Sequence, residues 1–309
     1  MDIRQELHKA PLFQNLELLA QEVVEGFISG IHKSPFHGFS AEFAEHTIYN
    51  PGESTRHIDW KLFAKTDKLY TKKYEEETNL RCHFILDGSA SMFYPTVDTQ
   101  CLDNLNKLGF GVLAIAALMG LLKKQRDAVG LSIYADTYQY YAPEKGSERH
   151  HRMVLEALKR ISLEKKPETH TRTYTFLHQI AEKIHRRSLI FLFTDLLDPE
   201  SDANQLFQAL RHLKYNKHQV VLFHLSDAKT ELDLDFDDTP KRFLDVETGK
   251  HIDVHAHRVR ESYTKHVTDY FRGISLQCAK YGIQYVPVDI GQGFAQVMNT
   301  YLVERQKFR

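Results

Sequence analysis

Asp87, Ser89 and Ser91 stand at alternate positions in CHFILDGSASMFYP, directly after a run of apolar residues. A carboxylate and two hydroxyls spaced by two can turn the same way, and three hard oxygens on one loop make half a shell for Mg²⁺ or Mn²⁺. The same residues suit a turn in which Asp87 and the serines bond to local backbone or cap the next helix. A second set of oxygens favours the metal. SLIFLFTDLLD (188–198) is another apolar run ending in an acid, Asp195. Between the two runs, Thr169, Thr171, Thr173 and Thr175 precede a helical pattern, and one of them could bring a third hydroxyl. Read singly, Thr171 is a helix N-cap and Asp195 a turn residue.

The elements that must position these residues follow from the rhythm of the chain. From residue 80 onward, apolar runs alternate with helix-length segments: RCHFILD and a helix near 102–124, AVGLSIYA and a helix near 147–162, RSLIFLFTD and a helix near 202–213. HQVVLFHLSD and IQYVPVDI are two further strands, and GFAQVMNTYLVERQKF closes the chain as a helix. Continuous apolar strands separated by helices predict an α/β fold, a Rossmann-like, doubly wound, mostly parallel sheet of about six strands. In such a sheet, binding loops lie beyond the carboxyl ends of the strands, where Asp87 and Asp195 would both arrive. KRFLDVETGKHIDVHAH interrupts the pattern and reads as a β-hairpin insertion near 242–256, turning at Thr248-Gly249. Ahead of residue 80 lie a helix at 15–29, an irregular Gly-, Pro- and His-rich stretch, and a strand at 69–77. Residues 1–79 are thus expected as an extension of helix and β elements on a domain spanning 80–309.

Composition narrows the partners. The 309 residues carry a formal net charge of −1 and are 42% hydrophobic, so the chain can build a core but has no basic field to draw it onto nucleic acid. Three widely spaced cysteines without a CxxC pair argue against a disulfide framework and fit a reducing compartment. LGFGVLAIAALMGLL (108–122) is too short to span a bilayer and reads as a helix buried on most sides, its glycines allowing close packing. With no signal-like N-terminus, a cytoplasmic location and no membrane span are expected.

Asp87-Gly-Ser89-Ala-Ser91-Met, a downstream threonine and the strand-terminal Thr194-Asp195 resemble the metal-ion-dependent adhesion site of von Willebrand factor A-type domains. GFSAEFAEH (38–46), YNPGESTRHIDWKLFAKTDKLYTKKYEEETN (49–79), RRSLIFLFTDLLD (186–198) and RFLDVETG (242–249) extend the resemblance to bacterial proteins of that class found with MoxR-type AAA+ ATPases. The resemblance makes Asp87, Ser89 and Ser91 first-loop ligands of Mg²⁺ or Mn²⁺, Thr171 the second-loop threonine, with Thr173 and Thr169 as alternatives, and Asp195 the third-loop acid, acting through water. It implies a non-enzymatic protein–protein interaction module in which a partner's Asp or Glu completes the metal's shell. That partner would be a MoxR-type AAA+ ATPase or its client. Two departures stand out: Glu168-Thr169-His170 replaces the glycines that often precede the threonine, and Leu196 replaces the usual glycine after the third-loop Asp.

Rival chemistries use the same residues differently. A Mg²⁺-dependent phosphatase of the haloacid-dehalogenase type would use Asp87 as nucleophile beside Asp195 and Asp198, but it requires an acid two residues later, where this chain has Ser89. A metal-free scaffold would tie the DGSAS residues up in internal hydrogen bonds. His251, His255 and His257 lack a supporting acid or Cys at a zinc spacing. His150 and His151 are expected on a solvated helix face, and Trp60 as a packing anchor.

Overall fold

The computed structural model describes residues 8–30, 40–50, 55, 58–77, 80–135, 138–161, 173–196, 203–244 and 251–307. Two compact units emerge, one formed by 1–35 with 81–309 and the other by 36–80. In the smaller unit, β1 (Ser40–Ile48) and β2 (Tyr70–Glu77) pair antiparallel, with a register shift between Phe43 and Glu45. The short helix α2 (Trp60–Thr66) starts at Asp59, whose carboxylate accepts the N–H groups of Lys61 and Leu62, and ends at Asp67 in the left-handed region. Trp60, expected as a packing anchor, is 61% exposed and meets only the edge of Phe63 among the ring contacts of the described residues.

The larger unit is a three-layer α/β fold around one six-stranded sheet. Its strands are β3 (Arg81–Asp87), β4 (Ala128–Tyr134), β5 (Tyr138–Lys145), β6 (Leu189–Thr194), β7 (Gln219–Ser226) and β10 (Gln284–Asp289), in the order β10-β7-β6-β3-β4-β5. All neighbours pair parallel except β4 with β5. Sequence reading overlooked β5 and ran straight to the following helix, because YQYYAPEK is neither an apolar run nor a clean alternation. As an edge strand it tolerates Pro143 at an irregularity in its register, and the opposite edge strand carries Pro287.

Strand residues of one parity build each face. Phe84, Phe191, Phe193 and Phe223 form an aromatic layer, with Phe84 stacked on Phe191 at 5.5 Å and Phe193 on Phe223 at 4.8 Å. This layer meets Tyr301 of α8 (Phe294–Lys307) and lies under α3 (Lys107–Lys124). Gly111 of α3 faces Leu86 so closely that an added Cβ would lie 2.8 Å from its Cδ1. Ile85, Ile190, Leu192, Val220 and Leu222 build the other face against α5 (Thr173–Lys183), α6 (Ala203–Tyr215) and α7 (Ala256–Lys280). The first helix, α1 (Leu16–Gly30), buries Leu16, Leu19, Ala20 and Val24 against α3, where Gly120 would bring a Cβ within 3.1 Å of Val24. It therefore belongs with the α/β unit rather than with the β1–β2 element that follows it.

The remaining helix, α4 (Glu148–Ile161), turns His150 and His151 inward at 5% and 4% exposure, contrary to the solvated face expected. His150 Nε2 lies 2.9 Å from the Val129 carbonyl. The hairpin pairs β8 (Pro240–Leu244) with β9 (His251–His255), its turn lying outside the described residues. His255 ends β9, and His257 sits in the first turn of α7. All three cysteines are free, and no helix among the described residues is long and apolar enough to cross a membrane.

Phe191, fully buried among the rings of Phe84, Phe223 and Tyr301, reports on the integrity of the central sheet. Phe191→Ala should cost about 3–5 kcal/mol, read as a lowered urea midpoint with an unchanged slope.

Candidate functional site

The chain runs from β3 out to β4 and β5 on one side, then returns to place β6, β7 and β10 on the other. The order of the sheet reverses between β3 and β6, and a doubly wound sheet opens its binding crevice at such a reversal, beyond the strand carboxyl ends. Asp87 ends β3 and Asp195 follows β6, so the two acids named from the sequence flank that point.

Asp87 is 2% exposed. Its Oδ1 accepts the Ser89 N–H at 2.9 Å; its Oδ2 accepts the Thr194 hydroxyl at 2.7 Å and the Tyr134 hydroxyl at 3.1 Å. A short 3₁₀ turn over Ala90–Phe93 brings Ser89 and Ser91 together, with their Oγ atoms 3.0 Å apart. Burial, and then the neighbouring charge of Asp195, push the Asp87 carboxyl from its ordinary 3.8 up to about 7. Asp87, Ser89 and Ser91 thus form one buried group of oxygens, with the buried Asp195 of the neighbouring loop close enough for its charge to act on Asp87. Thr171, and its alternative Thr169, lie outside the described residues, while Thr173 opens α5.

The loop after β6 turns at Leu196, where the resemblance leads one to expect glycine. Leu196 adopts φ 55°, the left-handed region that favours glycine, and its N–H bonds back to Thr194 Oγ1 at 3.2 Å. A strained backbone of this kind costs on the order of 1–3 kcal/mol; here the Leu196 side chain is 4% exposed and packs with Leu206 and Leu210, which offsets it. His224 on β7 steadies the same loop. Burial depresses its imidazole to about 4, so the neutral ring donates Nε2–H to the Asp195 carbonyl at 3.0 Å and accepts the Tyr285 hydroxyl at Nδ1, 2.7 Å away.

The sequence reading missed a lysine. Lys107, at the first position of α3, is fully buried; its Nζ donates to Asp195 Oδ2 at 2.7 Å and to Glu231 Oε1 at 2.6 Å. Burial alone would depress this ammonium, but the charges of Asp195 and Glu231 outweigh it and hold it above its usual range. Glu231 belongs to a π-helical turn over Ala228–Leu232, and its Oε2 accepts the Asp227 N–H at 2.8 Å. The turn is also tied by Thr230, which accepts the Tyr94 hydroxyl at 2.7 Å. A sequence signal for Lys107 existed: a single cation placed between the cap Asn106 and fifteen uncharged residues has little chance of reaching solvent. Glu231, in a stretch of scattered acids, had none.

A second buried cluster has the layout of a hydrolase relay. His83 Nδ1 lies 2.6 Å from Glu144 Oε1 and its Nε2 2.7 Å from Ser132 Oγ. His83 and Ser132 are fully buried within adjacent strands, so no substrate reaches the hydroxyl, and the cluster serves to fasten β5 to the sheet. Among the described residues no group of three or more His, Cys, Asp or Glu side chains gathers as a metal cluster.

Comparison with known proteins places the chain in a family. A family model described as "Protein of unknown function DUF58" matches residues 45–271, and the chain belongs to that family. Uncharacterised proteins of Mycobacterium bovis and Mycobacterium tuberculosis are each 24% identical over 149 residues, covering 48% of this chain. The match covers 45% of those relatives, so the chain spans about half their length. Among solved structures, a conserved hypothetical protein BatB of Bacteroides thetaiotaomicron is 17% identical, with a TM-score of 0.46 over 74% of this chain and 99% of that one. An aerotolerance-related membrane protein of Bacteroides fragilis is 16% identical, with a TM-score of 0.41 over 74% of this chain and 100% of that one. At those scores the two likenesses carry no functional weight.

Two outcomes test the electrostatics in the metal-free protein. Between 3.8 and about 7 the folded chain keeps a proton on Asp87 that the unfolded chain releases, so in chelator its stability should fall as pH rises through that window. Asp87→Asn, which cannot ionise, should flatten that fall, as urea midpoints across the window would show. Lys107→Met leaves two carboxylates without their buried cation and should lose about 3–5 kcal/mol; adding Glu231→Gln should restore part of it.

Proposed function

We propose that the chain is a von Willebrand factor A-type interaction module that binds a partner protein through a divalent metal, without catalysing a reaction. The observation that carries the reading is the convergence of Asp87, Ser89 and Ser91 on one loop at the sheet's reversal point, with Asp195 beside them. The first-loop donors fit Mg²⁺ or Mn²⁺: one carboxylate and two neutral hydroxyls are hard ligands, and Asp195 lies near enough to add its charge to the burial that pushes Asp87 upward. Asp87, Ser89 and Ser91 would hold the ion, with Thr171 or a neighbouring threonine joining from the second loop. A bound divalent ion would supply a positive charge with an open position for an outside Asp or Glu carboxylate.

The chain's own residues do the rest. Thr194 and Tyr134 hold Oδ2 of Asp87, and the Ser89 amide holds Oδ1, which fixes the carboxylate's orientation. No residue is needed as general base or nucleophile, and Ser89 stands where a phosphatase of the haloacid-dehalogenase type places its acid. The four site residues are each at most 5% exposed, so a partner's carboxylate enters only as their covering side chains part. By the family resemblance, the partner is a MoxR-type AAA+ ATPase or its client, in protein assembly or remodelling.

One observation favours a second reading, a metal-free scaffold. Asp87 already accepts three internal hydrogen bonds and the two serines are bonded to each other. A Mn²⁺ titration followed by electron paramagnetic resonance separates the readings. The wild type should bind, and a folded Ser89→Ala, Ser91→Ala variant should bind at least about tenfold more weakly. Equal binding by both would point to carboxylate-held metal and call for a phosphatase assay. Absence of binding by the wild type would favour the scaffold.

A further inference from the structure

The adhesion-type arrangement leaves its third-loop acid free to act on the metal through water. In this chain Asp195 Oδ2 is held by the Lys107 ammonium at 2.7 Å, inside the protein, with Lys107 fully buried and Asp195 2% exposed. The lysine is not a passing surface cation. Asn106 caps its helix by accepting the Gly109 N–H at 2.8 Å, the Lys107 amide donates to the Tyr94 carbonyl at 3.0 Å, and Glu231 supplies a second carboxylate at 2.6 Å. Backbone and charge together aim the ammonium at the acid.

We infer that Lys107 is the site's resident cation, competing with the divalent metal for Asp195 and thereby setting the metal's affinity. This rests on the metal-dependent reading above and adds to it the residue that governs it. An ion held by Asp87, Ser89 and Ser91 gains little from an acid whose charge is already met by an ammonium at contact distance. To engage Asp195, the metal must draw it off Lys107, which then keeps only Glu231. The consequence is a site of low intrinsic affinity, filled well when a partner's carboxylate adds its own charge to the shell. It also couples the metal to the Ala228–Leu232 turn, because the Lys107–Glu231 pair is shared between them.

The test uses a charge-matched pair. Wild type has one ammonium facing two carboxylates, and Lys107→Met with Glu231→Gln leaves Asp195 alone, so the summed charge is the same while Asp195 is released. Mn²⁺ titrations by electron paramagnetic resonance should show the double variant binding at least about tenfold tighter than wild type, the size of effect usual for groups just behind a metal's ligands. In an Asp195→Asn background the same pair of substitutions should leave affinity unchanged, because the group competed for is gone. Equal affinity of wild type and a folded double variant would overturn the role of Lys107 and leave the metal site standing. Failure of both to bind would overturn the metal site, and this inference with it. A measurement on wild type alone guards against misfolded variants: the ¹⁵N-lysine ammonium signal of Lys107 should shift as Mg²⁺ is added. A signal that stays fixed while the metal binds would overturn the proposal.

Discussion

Two carboxylates end neighbouring buried strands, and the surrounding structure is arranged around that concentration of charge. A buried carboxylate must be protonated, hydrogen-bonded or paired with a cation. Asp87 and Asp195 take different routes. Asp87 is surrounded by hydroxyl and amide donors and pushed upward, while Asp195 is met by a lysine brought in from the start of α3. Thr194 joins the two loops by donating to Asp87 and accepting from the Leu196 amide, so the geometry of one acid is bound to the backbone that presents the other.

The sheet was legible in the sequence because it rests on period and length, whereas its strand order, and with it the reversal point, emerged only in the folded chain. Apolar runs such as CHFIL and SLIFLF admit few alternatives once helix-length segments separate them. β5 was not legible, since an edge strand half open to solvent loses the apolar signature that marks its neighbours. The small helix at Trp60–Thr66 was equally hidden: its formation depends on the Asp59 cap more than on any periodicity over seven residues.

Legibility of the site divided along the same line. Asp87, Ser89, Ser91 and Asp195 could be named because loop residues directly after a buried strand have a fixed address in this fold. Lys107 and Glu231 come from a helix start and an irregular turn, and only the folded chain brings Lys107 to Asp195 across 88 positions of sequence and to Glu231 across 124. Leu196 is informative in the opposite sense: a leucine takes up the left-handed backbone that favours glycine, and burial of its side chain sustains it.

Both margins of the central sheet end in a strand that contains a proline, Pro143 in β5 and Pro287 in β10. A proline withholds an amide and sets a ring where an incoming backbone would need to lie. A visiting chain therefore finds neither border suited to recruitment as an additional strand. On the reading proposed above, recognition at this sheet falls to side chains and loops, so the identity of a few residues on the visitor counts for more than its readiness to become extended.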